Sequence, residues 1–178
     1  MYNCNILRLG IKTQTEYFED PYKYIKKSYN KIYIDDYGCT GFDETSQYND
    51  YIPTYQYKGN IIINLDTCYK RINEYFYYHH QNKKFVLNYG FLGENITLTS
   101  VNYLDLFPGE KIVCNNIILK IIDYIEPDER LNIMPLQDFW WKKEISEYDH
   151  LHELLDYITF PGICGYYAKV INPGFLTT

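Results

Sequence analysis

The stretch Phe91–Ile122 reads FLGENITLTSVNYLDLFPGEKIVCNNIILKII and contains turn signals between apolar segments. Its first turn, Gly93–Thr97, has the sequence Gly-Glu-Asn-Ile-Thr. Further on, Asn115-Asn116 separates the apolar segments Lys111–Cys114 and Ile117–Ile122. Because asparagine tolerates a positive φ better than most residues, this pattern predicts a tight β-hairpin.

Outward from this stretch, short apolar segments bounded by turn residues predict more strands. These strands are Lys31–Ile34, Asn60–Leu65, Phe85–Asn88 and Tyr166–Ile171. One helix is predicted after Asp66, whose carboxylate can cap it, and a second after Ser146. Many short strands with two helices predict a mainly β fold of the α+β type. We expect a closed β-barrel with a few peripheral helices, since closure removes exposed strand edges.

The length of 178 residues predicts a single domain, residues 1–178. Within it, residues 16–30 are rich in tyrosine and lysine and are interpreted as an irregular insertion, and residues 42–58 as a long loop. No apolar run approaches the ~20 residues of a membrane span, and no signal peptide is recognised. These features predict no membrane association and a cytoplasmic location, in a cell or in a virus-infected cell.

The charge and cysteine content exclude several classes of site. The formal net charge is −6, and the lysines form only short clusters, so nucleic-acid binding is not expected. The five cysteines are odd in number and include no CxxC pair, so the sequence predicts neither a zinc site nor a disulfide framework. Adjacent histidines, as in His79-His80, diverge by about 100° on a helix, and no metal site is predicted from them.

Four segments, in this order, resemble the sequence blocks of the MOSC domain, the molybdenum-cofactor sulfurase C-terminal type. Gly38–Asp43 is similar to the family's "GLxGD", and Asn60–Leu65 with its following helix to the "AVL-x-Y" block. Gly93–Thr97 resembles "GENLT", and Gly162–Gly174 resembles the closing "G-x-x-G-x-Y-x-R-V-x-x-P-G". The resemblance covers roughly residues 5–176 and is nearest to the short stand-alone bacterial members.

The resemblance implies molybdenum cofactor (molybdopterin) binding, with sulfur transfer or molybdenum-dependent reduction as the activity. The sequence departs from the family where that chemistry is expected. The family's reactive cysteine follows the long strand, but the matching segment, Ile125–Asn132, contains none, and its cysteine position falls near Leu131. The "HGG" block is replaced by Tyr55-Gln56-Tyr57. A leucine cannot supply the thiolate that sulfur transfer requires, so we predict a catalytically degenerate member, a pseudoenzyme.

The resemblance also indicates which residues would border a cofactor pocket. Cys39 and Cys164 lie in pocket-bordering motifs and are the candidate replacement thiols, although buried inert cysteines are common. The candidate cofactor-binding residues are Gly93, Glu94, Asn95, Thr97, Arg130 and Lys169. With Arg130 and Lys169, Lys12 and Lys58 could gather the phosphate of a pterin.

Three functions remain open. The first is a degenerate barrel that binds a pterin or a phosphorylated small molecule. The second is an active molybdenum enzyme that uses Cys39 or Cys164. The third is a protein-interaction module with a tyrosine- and tryptophan-rich surface, for which Trp140-Trp141 is a candidate patch. An exposed thiol beside a basic pocket would favour the second function, and a basic concave pocket near Gly93–Thr97 and Arg130 would favour the first over the third.

Overall fold

A computed structural model describes residues 1–11, 27–42, 47–49, 61–79, 86–90, 92–126 and 160–178. This part of the chain is mainly β, with twelve strands, one α-helix and one short 3₁₀ turn. The strands of the first half are β1 (Tyr2–Asn3), β2 (Asn5–Ile11), β3 (Lys27–Tyr29), β4 (Lys31–Asp35), β5 (Gly38–Phe42), β6 (Gln47–Asn49) and β7 (Ile61–Leu65). The remaining elements are α1 (Asp66–His79), β8 (Ile96–Thr99), the 3₁₀ turn Tyr103–Asp105, β9 (Lys111–Cys114), β10 (Ile117–Tyr124), β11 (Tyr166–Val170) and β12 (Gly174–Thr177).

Eight strands form the larger sheet, in the order β1-β9-β10-β11-β7-β8-β2-β3. Two of its neighbouring pairs, β1–β9 and β7–β8, are parallel, and the others are antiparallel. The predicted hairpin between β9 and β10 is confirmed, with Ile117 paired to Cys114. Asn115 has the positive φ that its turn requires, 53°. A register shift between Ile121 and Asp123 marks a bulge where β10 pairs with β11.

Four strands form the smaller sheet, in the order β12-β4-β5-β6, and its strands β5 and β12 contact β2 of the larger sheet. The inner faces of both sheets share one apolar core. The larger sheet contributes residues such as Leu9, Ile63 and Leu119, and the smaller sheet contributes Ile32 and Leu176. Alternation of buried and exposed residues along these strands places the aliphatic side chains in that core.

Helix α1 begins directly after β7, at Asp66, where the sequence predicts it. Its side chains Tyr69, Ile72 and Tyr75 form a second apolar cluster with residues that include Ile163 and Tyr167. The helix therefore packs on the outer face of the larger sheet. No helix in the described ranges is long and apolar enough to cross a membrane.

Three expectations from the sequence differ from this architecture. In the described residues no strand pairing joins β3 to β1, so closure into a barrel is not confirmed. The sequence predicts a strand over Phe85–Asn88, but residues 86–88 form none. The side chain of Asn73 forms both backbone hydrogen bonds of Leu87 instead: its Oδ1 accepts from the N–H at 2.7 Å, and its Nδ2 donates to the C=O at 3.1 Å. Within the predicted loop 42–58, Gln47–Asn49 pairs with β5 as strand β6.

Other expectations lie on or at the edge of the undescribed residues. The helix predicted after Ser146 and the Trp140-Trp141 patch lie outside the described residues. Most of the insertion 16–30 also lies outside them, and its last part contributes strand β3, which pairs with β2.

Candidate functional site

The Gly93–Thr97 segment is centred on a fully buried carboxylate, Glu94. Its Oε1 accepts hydrogen bonds from the hydroxyls of Tyr69 (2.8 Å) and Thr97 (2.6 Å) and from the N–H of Gly90 (2.7 Å). The N–H of Gly90 also lies 3.0 Å from the Tyr69 hydroxyl. One carboxylate thus ties helix α1, strand β8 and the turn at Gly90–Gly93 together.

Asn95 joins two strands that are not neighbours in the sheet. Its Oδ1 accepts from the N–H of Ile62 (2.9 Å) in β7, and its Nδ2 donates to the C=O of Gly10 (3.3 Å) in β2. Its backbone bonds to the same two residues, at 2.8 Å and 2.7 Å. Asn95, like Thr97, is fully buried. The side chains of Asn95 and Thr97 and the Oε1 atom of Glu94 are therefore engaged inside the protein, whereas Glu94 Oε2 is buried without a hydrogen-bond partner among the described residues. The role of these residues as ligands stays a prediction.

The turn supported by Glu94 packs against the side chain of Arg8, a residue of strand β2. Arg8 is 9% exposed, and its Nε donates to the Ser28 hydroxyl at 2.9 Å. A Cβ added at Gly90 would lie 2.4 Å from Arg8 Cζ, and one added at Gly10 would lie 2.6 Å from Arg8 Nη1. Both positions therefore require glycine for the guanidinium to occupy its place.

Arg8 lines an open cleft with a volume of about 360 Å³. The polar residues of its lining are Arg8, Ser28, Asn30, Asn88, Tyr89 and Thr178, and the apolar ones are Leu7, Leu9 and Tyr29. Of the described residues that line it, none has a carboxylate side chain. The Lys27 ammonium adds positive charge nearby, 5.8 Å from the ring centroid of Tyr29. The cleft is therefore concave, and its lining combines apolar side chains with one guanidinium and several hydroxyl and amide groups.

Tyr89 connects this cleft to the start of helix α1. Its hydroxyl donates to Asp66 Oδ1 at 2.5 Å, and its ring packs edge-on against Tyr69. The hydrogen bond to Asp66, together with burial and the carboxylate charge, raises the pKa of Tyr89 to about 12. Burial acts to raise the pKa of Asp66, but hydrogen bonds from Lys70 and Tyr89 outweigh it and leave that pKa below its ordinary value. Tyr89 is thus a neutral hydrogen-bonding group at physiological pH.

All five cysteines are buried, and none faces the cleft. The two candidate thiols, Cys39 and Cys164, are 2% and 3% exposed and belong to the two apolar clusters. Burial raises the pKa of the Cys68 thiol, whose Sγ lies 3.3 Å from the C=O of Gly162. Cys4 and Cys114 share a hydrogen bond that lowers the pKa of Cys4. Metal ligation and nucleophilic attack need an accessible thiolate.

These residues do not fit a molybdenum–thiolate centre, because no thiol of this chain reaches an open site. Across the described ranges, no group of three or more His, Cys, Asp or Glu side chains is placed to hold a metal ion. The phosphate of a pterin needs no thiolate. Guanidinium and hydroxyl groups bind phosphate, and the Arg8 cleft contains both.

Of the predicted phosphate-binding cations, Lys169 is exposed on β11 and does not line the cleft. Arg130, Lys12 and Lys58 lie outside the described residues. Arg8 was not among the residues predicted for the site. Its signal was present as the one charged residue in the strand Asn5–Ile11, which otherwise reads Asn-Ile-Leu-Leu-Gly-Ile.

Comparison with known proteins places the fold. No family model matches this chain, and no curated protein matches its sequence. Among solved structures, the YuaD protein from Bacillus subtilis superposes with a TM-score of 0.65 at 15% identity, covering 97% of this chain and 90% of YuaD. YiiM from Geobacillus stearothermophilus gives 0.56 at 14% identity, covering 98% of this chain and 71% of YiiM.

YiiM from Escherichia coli gives a TM-score of 0.53 at 13% identity, covering 96% of this chain and 66% of that protein. YuaD and YiiM are MOSC-domain proteins, and the chain accordingly has a MOSC-like fold. At this level of identity the likeness concerns the fold alone.

Proposed function

We propose that this MOSC-like protein binds a small anionic molecule, a phosphorylated compound or a phosphate-bearing pterin, in the Arg8 cleft, and that it carries out no thiol chemistry. The observation that carries the proposal is the position of the Arg8 guanidinium in a concave cleft next to the Gly90–Gly93 turn. A concave cleft that contains a guanidinium supports a ligand-binding scaffold over a pure interaction module, although it lies at Arg8 and is not lined by Gly93–Thr97.

The chemistry of the lining suits an anion. A guanidinium presents its N–H groups in a planar fork that matches two oxygens of a phosphate. Ser28, Asn30, Asn88 and Tyr89 supply neutral hydrogen-bonding groups around it. The volume of about 360 Å³ is at the small end of ligand sites.

The position of Arg8 is also built by its surroundings. Glu94 holds the turn that brings Gly90 against the guanidinium, and Ser28 fixes its Nε. A side chain that is held in place before binding loses less conformational entropy when the ligand arrives. The Gly93–Thr97 motif then supports the ligand site indirectly, by positioning Arg8, and does not contact the ligand.

The alternative of an active molybdenum enzyme needs Cys39 or Cys164 at an accessible site. Both sulfurs are buried among apolar side chains, so a reaction at either would first require the surrounding strands to separate. Molybdenum analysis and mass spectrometry of released pterin, on protein made in a host that supplies the cofactor, separate the two functions. Bound pterin without stoichiometric metal supports binding alone, and metal that is lost on Cys39→Ser or Cys164→Ser supports the enzyme.

Calorimetric titration with inorganic pyrophosphate and with a phosphorylated pterin tests the cleft directly. We expect Arg8→Gln to weaken binding at least about tenfold, which corresponds to about 1.4 kcal/mol. Arg8→Lys should lie between the two, since it keeps the charge but not the fork. Arg71→Gln, an exposed substitution of the same type on α1, is the control and should bind as the wild type does. No binding by the wild type, or unchanged binding by a folded Arg8→Gln variant, refutes the proposal.

A further inference from the structure

Three lysines stand side by side on the outer face of the larger sheet. Strand register places Lys111 of β9 opposite Lys120 of β10, and Lys120 opposite Lys169 of β11. Residues directly opposite each other in antiparallel strands project from the same face, with Cβ atoms about 4.5–5.5 Å apart. All three side chains are exposed. We call Lys111, Lys120 and Lys169 the basic row.

The basic row brings like charges together without neutralising them. Like charges directly opposite each other in a sheet are destabilising. In the part of the chain that the structure describes, none of the three lysines forms an ion pair. The nearby acid Glu110 pairs instead with the N-terminal amine of Met1, at 3.6 Å. Asp123, beyond the bulge of β10, accepts a hydrogen bond from the N–H of Tyr124 at 2.9 Å.

A second row, of aliphatic residues, lies beside the lysines in β9, in β10 and at the residue that directly follows β11. Val113 is paired with Ile118, and the N–H of Ile171 donates to the C=O of Ile118 at 2.8 Å. Val113 and Ile118 are partly exposed, and Ile171 is 50% exposed. We call Val113, Ile118 and Ile171 the aliphatic row.

On the other side of the lysines, the outer face is covered by helix α1. Ile62, Ile122 and Tyr167 pack there with the helix residues Tyr69, Ile72 and Tyr75. Helix α1 therefore covers the outer face of the sheet as far as the basic row. The basic row and the aliphatic row themselves face solvent. Their chemistry differs from that of the Arg8 cleft, which none of their residues lines.

We propose that the basic and aliphatic rows together form a docking surface for an acidic, amphipathic polypeptide segment of another protein. Carboxylates of the partner neutralise the three ammonium groups, and its apolar side chains cover the aliphatic row. Charge complementarity selects the acidic partner, because the basic row is a local feature of a chain whose net charge is −6. The aliphatic row selects a polypeptide, because phosphate groups alone have nothing to pack on Ile118 and Ile171.

Selection of peptides from a random displayed library against the wild-type protein, followed by affinity measurement on the synthesised winners, tests this surface. We expect the winners to combine Asp or Glu with aliphatic residues and to lose at least about tenfold in affinity for the Lys120→Glu/Lys169→Glu variant. Lys31→Glu/Lys70→Glu carries the same change of charge elsewhere on the surface and is the control, with an expected change within about twofold. Ile171→Ser should weaken binding several-fold without any change of charge.

Other results would overturn the proposal. Winners without acidic residues, or winners that bind the Lys120→Glu/Lys169→Glu variant as tightly as the wild type, exclude this surface. If an oligothymidylate binds as tightly as the acidic peptides, and Ile171→Ser changes neither affinity, the rows form a general polyanion site. Because Arg8→Gln leaves both rows intact, peptide binding by that variant is expected to persist whether or not the cleft binds anions.

Discussion

At the scale of single residues, the cleft depends on two glycines that leave room for one arginine. Gly90 has a φ of +97°, a conformation that residues with a side chain rarely adopt. Its missing side chain is also where the Arg8 guanidinium lies, since a Cβ there would be 2.4 Å from Cζ. The positive φ at position 90 and the space taken by the Arg8 guanidinium therefore both require glycine there, and the two requirements can be tested separately.

Gly90→Ala and Gly109→Ala separate these reasons. Gly109 has almost the same φ, +95°, but a Cβ there would meet nothing within 4 Å. We expect both variants to lose about 1 kcal/mol of unfolding free energy from backbone strain. Only Gly90→Ala should also weaken pyrophosphate binding, because the new methyl group displaces the flexible end of Arg8. Urea denaturation and calorimetry measure the two effects, and equal pyrophosphate affinity in both variants would falsify the steric role of Gly90.

The same residues show what the sequence can predict about a site. The Gly93–Thr97 motif was visible as a turn, and its glycine has the positive φ expected of one, 74°. The partners of Glu94 were not visible, because Tyr69 lies 25 positions away and only the fold brings its hydroxyl to the carboxylate. The residues of a turn are neighbours in the sequence, so a turn can be predicted from them. A buried hydrogen-bond network joins residues that are far apart in the sequence and depends on the fold.

At the scale of the element, strand β10 contributes one face to the core and the other face to the basic row. One of its faces contributes Leu119 and Ile121 to the core, and the other presents Lys120 between Lys111 and Lys169. The core face accounts for the strong strand signal in the sequence. The lysine at the centre of the basic row does not contribute to that signal, and it lies directly opposite two like charges, an arrangement that is destabilising in sheets.

Lys120→Glu should therefore stabilise the isolated protein. The substitution turns two like-charge pairs into two opposite-charge pairs, each worth roughly 0.2–1 kcal/mol before screening. Because the groups are exposed, we expect a gain of about 0.5–1 kcal/mol at low ionic strength that fades in high salt. Lys120→Gln removes the repulsion only and should give about half of the gain. Thermal unfolding at two salt concentrations measures this, and a less stable Lys120→Glu protein at low salt would contradict the repulsive row.

Element by element, the sequence predicted strands with two neighbours better than segments held by side chains. The hairpin of β9 and β10 and strand β7 follow from β-branched residues between turn signals, and strand β11 from tyrosines and a valine between turn signals. Residues 86–88 have the same local pattern, yet Asn73 of α1 occupies the backbone of Leu87. A strand propensity indicates that a segment can be extended. It does not indicate whether a neighbouring strand or a side chain will form the backbone hydrogen bonds of that segment.

At the scale of the whole molecule, the chain combines a MOSC-like fold with thiols that are all buried. The expected reactive cysteine is missing from the sequence, and the five cysteines that remain are enclosed by the two apolar clusters or lie at their edges. The Arg8 cleft and the basic row contain guanidinium, ammonium, hydroxyl and amide groups. Such groups bind anions and acidic segments, and none of them is a nucleophile for sulfur transfer.

The reactivity of the thiols in the native protein tests most directly whether the five cysteines are inaccessible to thiol chemistry. Since even the most exposed cysteine, Cys4, is only 7% exposed, we expect an aromatic disulfide reagent to modify well under one thiol per native chain within minutes. All five thiols should react at once in denaturant. If any reacts slowly in native buffer it should be Cys4, whose pKa is lowered by its hydrogen bond with Cys114. A thiol that reacts within seconds, and is lost in Cys39→Ser or Cys164→Ser, would instead mean that the chemistry has moved to a new cysteine.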